Sequence, residues 1–319
     1  MALSQMMKHY LDTKNKYQDT ILLYRLGDFY ELFFEDAEVC SRELGLTLTG
    51  KDCGLEQRAP MCGMPAKSID AYVAKLIEKG YKVAICEQLS DPVKNSKTLV
   101  ERDVVRVITP GTIIESNMLD DKSNNYIASV CKDQNNIGAS VIDISTGDFF
   151  VTEFTENNTI TKLNDFLVML APKEIICNNE AKEDLKNLFC IQAQIIPVFT
   201  QYNESSFEFK TAYNSLLHQF QCTSLAKFGC NNKHYALQSA GALIDYLNDT
   251  QKRNLSHINK LQYMYTEEYM QIDANTRRNL ELTATLKDGK RKGSLLWILD
   301  KTKTSMGARM LKSFIESPL

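Results

Sequence analysis

The sequence of 319 residues lacks any apolar run near the ~18 residues that a membrane-spanning helix needs, so it predicts no membrane protein. Its first ten residues, MALSQMMKHY, lack the apolar core of a secretory signal, and we expect a cytoplasmic protein. Nine cysteines are present, but no Cys-x-x-Cys pair occurs, and the four histidines are not grouped with them. This spacing argues against a zinc site and favours reduced thiols.

A strong charge of either sign is also missing. The chain carries 37 basic and 40 acidic residues, a net charge of −3, which is no signature of nucleic-acid binding. Residues 1–113 are nearly neutral, residues 114–257 are acidic and residues 258–319 are basic. The middle region is therefore the poorest candidate for contact with DNA. The first region could bind DNA only if folding sorted its charges onto separate faces.

A complete nucleotide-binding loop is absent. Residues 45–51, GLTLTGK, match the pattern G-x-x-x-x-G-K, but Asp52 follows where a magnesium-binding Ser or Thr is required. A helical pattern precedes this segment, whereas a strand precedes a phosphate-binding loop. We therefore predict that the segment is a helix end leading into a strand, with no nucleotide bound to it.

Residues 1–113 predict a compact α/β unit. Ser4 is a suitable N-cap for a first short helix, and Ser68 for a later one that carries an apolar stripe. Gly27-Asp28 predicts a turn, and Gly45 closes a helical pattern. Strands are expected at 21–26, 81–86 and 104–108, and a helix at 35–44.

The turn at Gly27-Asp28 is followed by Phe29-Tyr30-Glu31. In an extended segment, residues i and i+2 point to the same side, so Phe29 and Glu31 project together while Tyr30 faces away. On this pattern alone, a core phenylalanine beside a surface glutamate is the commoner explanation.

The flanking sequence favours a functional explanation for Phe29 and Glu31 over the structural one. LLYRLGDFYELFFEDA, at 22–37, resembles the mismatch-sensing segment of the bacterial MutS family of DNA mismatch-repair proteins. The resemblance continues through APMCGMP at 59–65, VAICEQ at 83–88 and VVRVITPGT at 104–112. It implies that residues 1–113 form a mixed-sheet α/β mismatch-recognition domain. In this family a Phe-x-Glu motif enters the minor groove at a mispair, and Phe29 and Glu31 occupy those two positions.

The physical chemistry of such a wedge is reasonable. An apolar ring inserted at a base step costs roughly a few kcal/mol of unstacking, and the cost is lowest where pairing is already broken. A carboxylate near phosphates is explained if Glu31 forms a hydrogen bond with a displaced base edge. We advance its protonated form as a hypothesis, because phosphates and burial both disfavour the charged carboxylate.

The resemblance also implies contacts with the DNA backbone. After Gly63-Met64-Pro65 the family usually has Tyr-His-Ala, whereas this chain has Ala66-Lys67-Ser68, so an aromatic contact is lost. Lys67 and the free amides near Ser68 remain candidates for phosphate contacts. Lys94 and Lys97, in a polar loop at 90–102, are further candidates, although a solvated loop explains them equally well.

Residues 114–124 read as a polar linker, and residues 125–250 as a second domain. Three β-rich runs separated by turns come first. We then expect a helix at 161–170, a strand at 174–177, a helix near 180–188 and a strand at 195–199, an alternation that suggests a ribonuclease H-like α/β sheet. The resemblance implies the MutS connector domain here. Asp143 and Asp148 flank a turn of this sheet, and ribonuclease H-like nucleases hold two metals on such carboxylates. No further carboxylates complete a site, so a nuclease is the less favoured alternative.

Residues 258–319 resemble the beginning of the all-α core, or lever, domain. The matching segments are QIDANTRRNLEL at 271–282 and LDKTKTSMGARMLKSFIESPL at 299–319. We expect apolar faces in this part to be uncovered, and the segment to be loosely ordered or self-associating.

The residues and the resemblance together predict a mismatch-binding module without catalytic activity. The expected partners are double-stranded DNA with mispairs or small insertion/deletion loops, a MutL-type repair partner at the connector domain, and a second copy in the full-length homodimer. No cofactor is expected here, because ATP and magnesium are implied only for the family's ATPase domain. The alternative is a pure docking module in which the DNA domain is idle.

Overall fold

The computed structural model describes residues 3–54, 57–90, 101–115, 117–192, 197–252, 255–265, 269–270 and 272–318. The chain separates into two compact units. Unit 1 comprises residues 1–110 with residues 250–253, and unit 2 comprises residues 111–249 with residues 254–319. Among the described residues, no helix combines the length and the apolar character needed to cross a membrane.

Unit 1 is built on a mixed sheet of six strands. The strands are β1 (Ile21–Leu26), β2 (Phe29–Phe33), β3 (Thr49–Lys51), β4 (Ala59–Pro65), β5 (Val83–Gln88) and β6 (Arg102–Ile108). Their order across the sheet is β3-β4-β2-β1-β5-β6. Only the pair of β1 and β5 is parallel; the other neighbours are antiparallel. The mixed-sheet α/β fold predicted for this region is confirmed.

Three helices accompany the sheet of unit 1: α1 (Gln5–Lys16), α2 (Phe34–Leu44) and α3 (Ile69–Glu78). Ser4 caps α1 as predicted, since its hydroxyl accepts a hydrogen bond from the amide of Met7 at 3.3 Å. The helix is longer than expected, however, because it continues to Lys16. Ser68 precedes α3 but forms no side-chain cap, so that part of the prediction is wrong.

The buried carboxylate of Asp36 ties helices to the sheet in unit 1. It accepts hydrogen bonds from the ammonium of Lys14 at 2.8 Å and from the amide of Leu22 at 3.0 Å. The hydroxyl of Tyr10 donates to it at 3.3 Å. With a cation and two neutral donors around it, the carboxylate is satisfied despite 6% exposure.

Unit 2 contains the second six-stranded sheet. Its strands are β7 (Tyr126–Asp133), β8 (Asn136–Asp143), β9 (Asp148–Phe154), β10 (Glu174–Cys177), β11 (Val198–Gln201) and β12 (Gln262–Tyr263). Strands β7, β8 and β9 form an antiparallel meander, while β10 and β11 add in parallel beside β7. The predicted ribonuclease H-like layout, a meander followed by alternating helix and strand, is confirmed.

Helices cover both faces of this sheet, which explains why β8 is buried at nearly every position. The helices are α4 (Thr159–Leu170), α5 (Asn179–Gln192), α6 (Phe209–Gln219) and α7 (His234–Gln251). One core cluster joins the sheet to α6 and α7 through Ile142, Leu216 and Leu243. The other joins it to α4 and α5 through Leu167 and Leu185. The sequence did not predict α6.

Glycine at position 138 allows α7 to approach the sheet closely. A Cβ atom at Gly138 would lie 1.8 Å from the carbonyl oxygen of Tyr235, a distance that no side chain tolerates. The start of α7 therefore packs against the backbone of β8.

The last part of unit 2 contains three short helices: α8 (Ala274–Asn279), α9 (Leu295–Leu299) and α10 (Ser305–Glu316). Each begins at a side-chain cap, provided by Asp273, Ser294 and Thr304. Large apolar side chains on α9 and α10 are exposed, including Ile298 and Met310. The start of an all-α region is confirmed, and its loose order or self-association stays a prediction.

Candidate nucleic-acid interface

A tight hairpin brings Phe29 to the end of the first sheet. Strands β1 and β2 are joined through Gly27 and Asp28, with Leu26 paired to Phe29. Gly27 has φ +60°, which a glycine adopts without strain. Its amide donates to Oε1 of Gln88 at 3.0 Å, and its carbonyl accepts from Nε of Arg25 at 2.5 Å. The turn is therefore held by neighbouring side chains.

The alternation of β2 separates an exposed ring from a buried one. The Phe29 side chain is 49% exposed, whereas Tyr30 is 4% exposed, as the predicted inward orientation requires. The Tyr30 hydroxyl donates to the Glu87 carboxylate, and the Arg25 guanidinium lies 5.1 Å from the ring centroid. Burial, followed by Glu87, raises the pKa of Tyr30 well above its usual range, so the hydroxyl keeps its proton and remains a donor.

Phe33 lies four residues further along the same strand face, and unlike Phe29 it is buried. It is 1% exposed and packs edge-to-face on Tyr10 at 4.9 Å between centroids. Tyr10 of α1 thus covers Phe33, whereas Phe29 stays half exposed. Phe29 has no core role that would account for an aromatic side chain.

Glu31 projects on the same face as Phe29, and it is paired with a cation that the sequence did not reveal. The Lys51 ammonium donates to Oε2 of Glu31. Lys51 lies on the edge strand β3, separated from β2 by β4. No short-range pattern indicates this contact, because the two residues are 20 positions apart and meet only across the sheet.

The end of β4 places the predicted backbone contacts beside the hairpin. Phe29 pairs with Pro65, and the amide of Ala66 donates to the carbonyl of Asp28 at 2.9 Å. Lys67 and Ser68 follow in a single 3-10 turn and are exposed. The Ser68 hydroxyl donates to the Pro65 carbonyl at 3.3 Å. Lys67 and Ser68 are thus on the same rim as Phe29.

Lys94 and Lys97 lie outside the described residues. The structure therefore brings together Phe29, Glu31, Lys67 and Ser68, and it adds Lys51 to that group. These residues present an apolar ring, a carboxylate with its cation, and a second lysine. Phe29 and Lys67 lie at the Pro65 end of β4, and the Lys51 side chain reaches Glu31 from the Ala59 end. Such a surface offers a wedge for a base step and cations for phosphates.

The carboxylates considered for a nuclease are used structurally. Asp143 is fully buried, and its oxygens accept hydrogen bonds from the Asn124 amide group, the backbone amides of Asn125 and Ser145, and the Ser145 hydroxyl. Asp148 is cross-strand to it and accepts from Thr146. Within the part of the chain that the structure describes, no cluster of three or more His, Cys, Asp or Glu residues could hold a metal ion.

The phosphate-loop look-alike has the structure that the sequence predicted. Gly45 ends α2 in the left-handed region, with φ +69°, and Thr49 to Lys51 form β3. The helix lies before the glycine, so its N-terminus is not directed toward the segment.

The fold defines a multidomain α/β protein whose first unit carries an exposed aromatic hairpin. Three family models match successive parts of the chain: MutS domain I matches residues 4–117, MutS domain II residues 125–259 and MutS domain III residues 275–319. The chain belongs to the MutS family.

Individual relatives agree with these matches. The protein named DNA mismatch repair protein MutS from Ruminiclostridium cellulolyticum is 50% identical over 320 residues, covering 100% of this chain and 36% of the relative. Relatives with the same name from Acetivibrio thermocellus and Halothermothrix orenii are 48% and 49% identical over 318 residues, covering 100% and 99% of this chain and 36% and 35% of the relatives. The chain thus spans about a third of the length of these curated relatives.

Proposed function

We propose that this chain binds mismatched double-stranded DNA in DNA mismatch repair, with the β1–β2 hairpin as the part that senses the mispair. The supporting observation is Phe29, an aromatic ring at the tip of a fixed hairpin with about half of its surface exposed (49%). Membership of the MutS family adds independent support, because its relatives carry mismatch repair in their names. Mispairs and small insertion/deletion loops are the expected targets, since both weaken local stacking.

In this mechanism Phe29 stacks on a mispaired base from the minor groove. Stacking of a base on an aromatic side chain contributes about 1–3 kcal/mol and is tolerant of sequence. A mispaired base is more easily unstacked, so the same ring binds a mispair better than a matched step. Glu31 forms a hydrogen bond with the displaced base, and its position on the same strand face as Phe29 supports this role.

Phosphate contacts are assigned to Lys67 and to amides near Ser68, with Lys94 and Lys97 as further proposals outside the described residues. Contacts with phosphates position a protein without reading sequence, which suits a sensor of errors in any sequence. We propose binding without catalysis and without a bound cofactor for these 319 residues. Hydrolysis of ATP above background by the purified chain would contradict that part of the proposal.

The test is fluorescence anisotropy with a G·T-mismatched duplex and its matched counterpart at two salt concentrations. Phe29→Ala is expected to lower the affinity for the mismatched duplex by roughly 5- to 150-fold, the equivalent of the stacking energy above, and to leave the matched duplex nearly unchanged. Phe209→Ala, which removes an exposed ring from α6 in unit 2, is the matched control. Equal effects on both duplexes, or no preference in the unmodified chain, would contradict the proposal.

A second candidate function is docking of a MutL-type repair partner on unit 2. An open cleft on this unit is lined by lysines and aromatic rings: Lys227, Phe228, Lys260, Tyr263 and Tyr265. Tyr265 is 52% exposed, and aromatic residues are enriched at protein interfaces. Binding of a purified MutL-type protein that is lost in Tyr265→Ala but retained in Phe29→Ala would support this function. Binding unaffected by Tyr265→Ala would exclude this cleft.

A further inference from the structure

The contact between Lys51 and Glu31 depends on the order of strands in the first sheet. Strand β4 lies between β2 and β3, so the Lys51 side chain must cross β4 to reach Glu31. Glu31 lies directly opposite Gly63 of β4, while Lys51 pairs with Ala59 on the other side of that strand. The Lys51 side chain therefore runs diagonally over β4, from the register of Ala59 toward that of Gly63, to reach the carboxylate.

The Lys51 side chain is held in place along this path. Its ammonium lies 5.5 Å from the centroid of the buried Phe33 ring, a favourable position for a cation. The side chains of Lys51 and Glu31 are 31% and 19% exposed, so the pair is more shielded from solvent than a surface ion pair. The ion pair therefore holds the Glu31 side chain in one orientation as well as balancing its charge.

The contact uses one carboxylate oxygen and leaves the other available. Lys51 donates to Oε2, and no described residue donates a hydrogen bond to Oε1 of Glu31. A carboxylate that accepts from an ammonium carries the negative charge and can only accept further hydrogen bonds.

We propose that Lys51 is a positioning residue for mispair recognition: it holds Glu31 as an ionised acceptor whose Oε1 receives an N–H of the displaced base. This inference rests on the proposed function and adds to it the class of base group that is read. Suitable donors are the imino N–H groups of thymine and guanine. In a matched pair these groups already donate to the partner base, and a mispair frees or displaces them.

Lys51 also neutralises Glu31, which would otherwise repel the phosphates on either side of the groove. A cation that only contacted phosphate would raise affinity for every duplex equally. A cation that positions Glu31 instead raises the preference for a mispair, and it does so only while Glu31 is present. The two roles therefore differ in a measurable way.

The experiment is a double-mutant cycle read as the ratio of matched to G·T-mismatched dissociation constants. Lys51→Met removes the ammonium but keeps an apolar stem against Phe33. The cycle compares the unmodified chain, Lys51→Met, Glu31→Ala, and the double variant that carries both substitutions. Lys67→Met, which removes a cation on the same rim that makes no contact with Glu31, is the matched control. The carboxyl ¹³C shift of Glu31 in the DNA-free chain, assigned by its loss in Glu31→Ala, reports the ion pair without DNA.

We expect Lys51→Met to lower the ratio roughly three- to tenfold, a coupling typical of residues in contact, and to have no effect on the ratio when Glu31 is already alanine. The Glu31 carboxyl shift should move in Lys51→Met and stay in place in Lys67→Met. Lys67→Met should weaken both duplexes without changing the ratio.

An unmoved carboxyl shift in Lys51→Met would overturn the inference, because the ion pair would not exist. A change in the carboxyl chemical shift with an unchanged ratio of dissociation constants would also overturn the inference. Lys51 would then be a phosphate contact, and the affinity of Lys51→Met for DNA would depend less on salt. An unmodified chain without mismatch preference would instead refute the proposed function, whatever the carboxyl shift shows.

Discussion

The two phenylalanines on one face of β2 should contribute unequally to the stability of unit 1. Phe33 is 1% exposed and contacts Tyr10 edge-to-face, whereas Phe29 is 49% exposed. Truncation of a buried phenylalanine to alanine costs about 3–5 kcal/mol, because a cavity remains where the ring was. Complete burial of such a side chain contributes about 1.5–3 kcal/mol, so the half-exposed Phe29 contributes about 1 kcal/mol.

We therefore expect Phe33→Ala to lower the free energy of unfolding of unit 1 by about 3 kcal/mol or more, and Phe29→Ala by about 1 kcal/mol. Hydrogen exchange followed by mass spectrometry is the suitable assay, because it assigns protection to individual segments. Fluorescence is unsuitable, since the single tryptophan, Trp297, belongs to unit 2. Protection of amides in β1 and β5 should fall by more than a hundredfold in Phe33→Ala, the equivalent of about 3 kcal/mol.

The comparison also separates folding from recognition. If Phe29→Ala reduced protection as much as Phe33→Ala, Phe29 would be a core residue and any loss of mismatch binding would follow from unfolding. If exchange in unit 2 changed equally in Phe33→Ala, the two units would unfold together, and the assignment of the effect to unit 1 would be wrong.

Two further predictions concern Tyr30 and the cysteines. Tyr30→Phe removes the donor to Glu87, and because a hydrogen bond to a charged group contributes about 1.5–3 kcal/mol, protection of β2 amides should fall at least tenfold; unchanged exchange would show that the bond does not hold the hairpin. Among the eight described cysteines, Cys222 alone is partly exposed, and burial raises the pKa of Cys86 to about 12. Since the thiolate is the reactive form, iodoacetamide at pH 8 should label Cys222 first, and equal labelling of Cys86 by mass spectrometry would contradict this packing.

Local patterns were sufficient for the elements that carry their own signals. The strand at 21–26 and the strand at 174–177 are found where they were predicted, and Gly45 closes α2 in the left-handed conformation. The meander of unit 2 also agrees, because turn residues separate its three apolar runs. The strand predicted at 81–86 lies two residues later, at Val83–Gln88, because pairing with β1 begins at Val83 and pairing with β6 continues to Gln88.

Other elements depended on partners distant in sequence. Strand β4 was not predicted, and for β2 and β3 the sequence indicated only an extended segment after Gly27-Asp28 and a strand after the helix end at Gly45, without bounds. These strands are short or interrupted by glycine and proline, and pairing with their neighbours determines their extent. The strand predicted at 195–199 is observed at Val198–Gln201, and the helix predicted at 180–188 extends over Asn179–Gln192.

The candidate site shows the same division. The sequence alone identified Phe29 and Glu31 as a pair on one face, since alternation along an extended strand is a local property. Family resemblance, and not periodicity, assigned them a role. Only the tertiary structure decided that Phe29 stays half exposed and that Lys51 reaches Glu31 over β4. Exposure and ion pairing depend on which strands become neighbours, and that order is determined by long-range pairing that a local pattern does not contain.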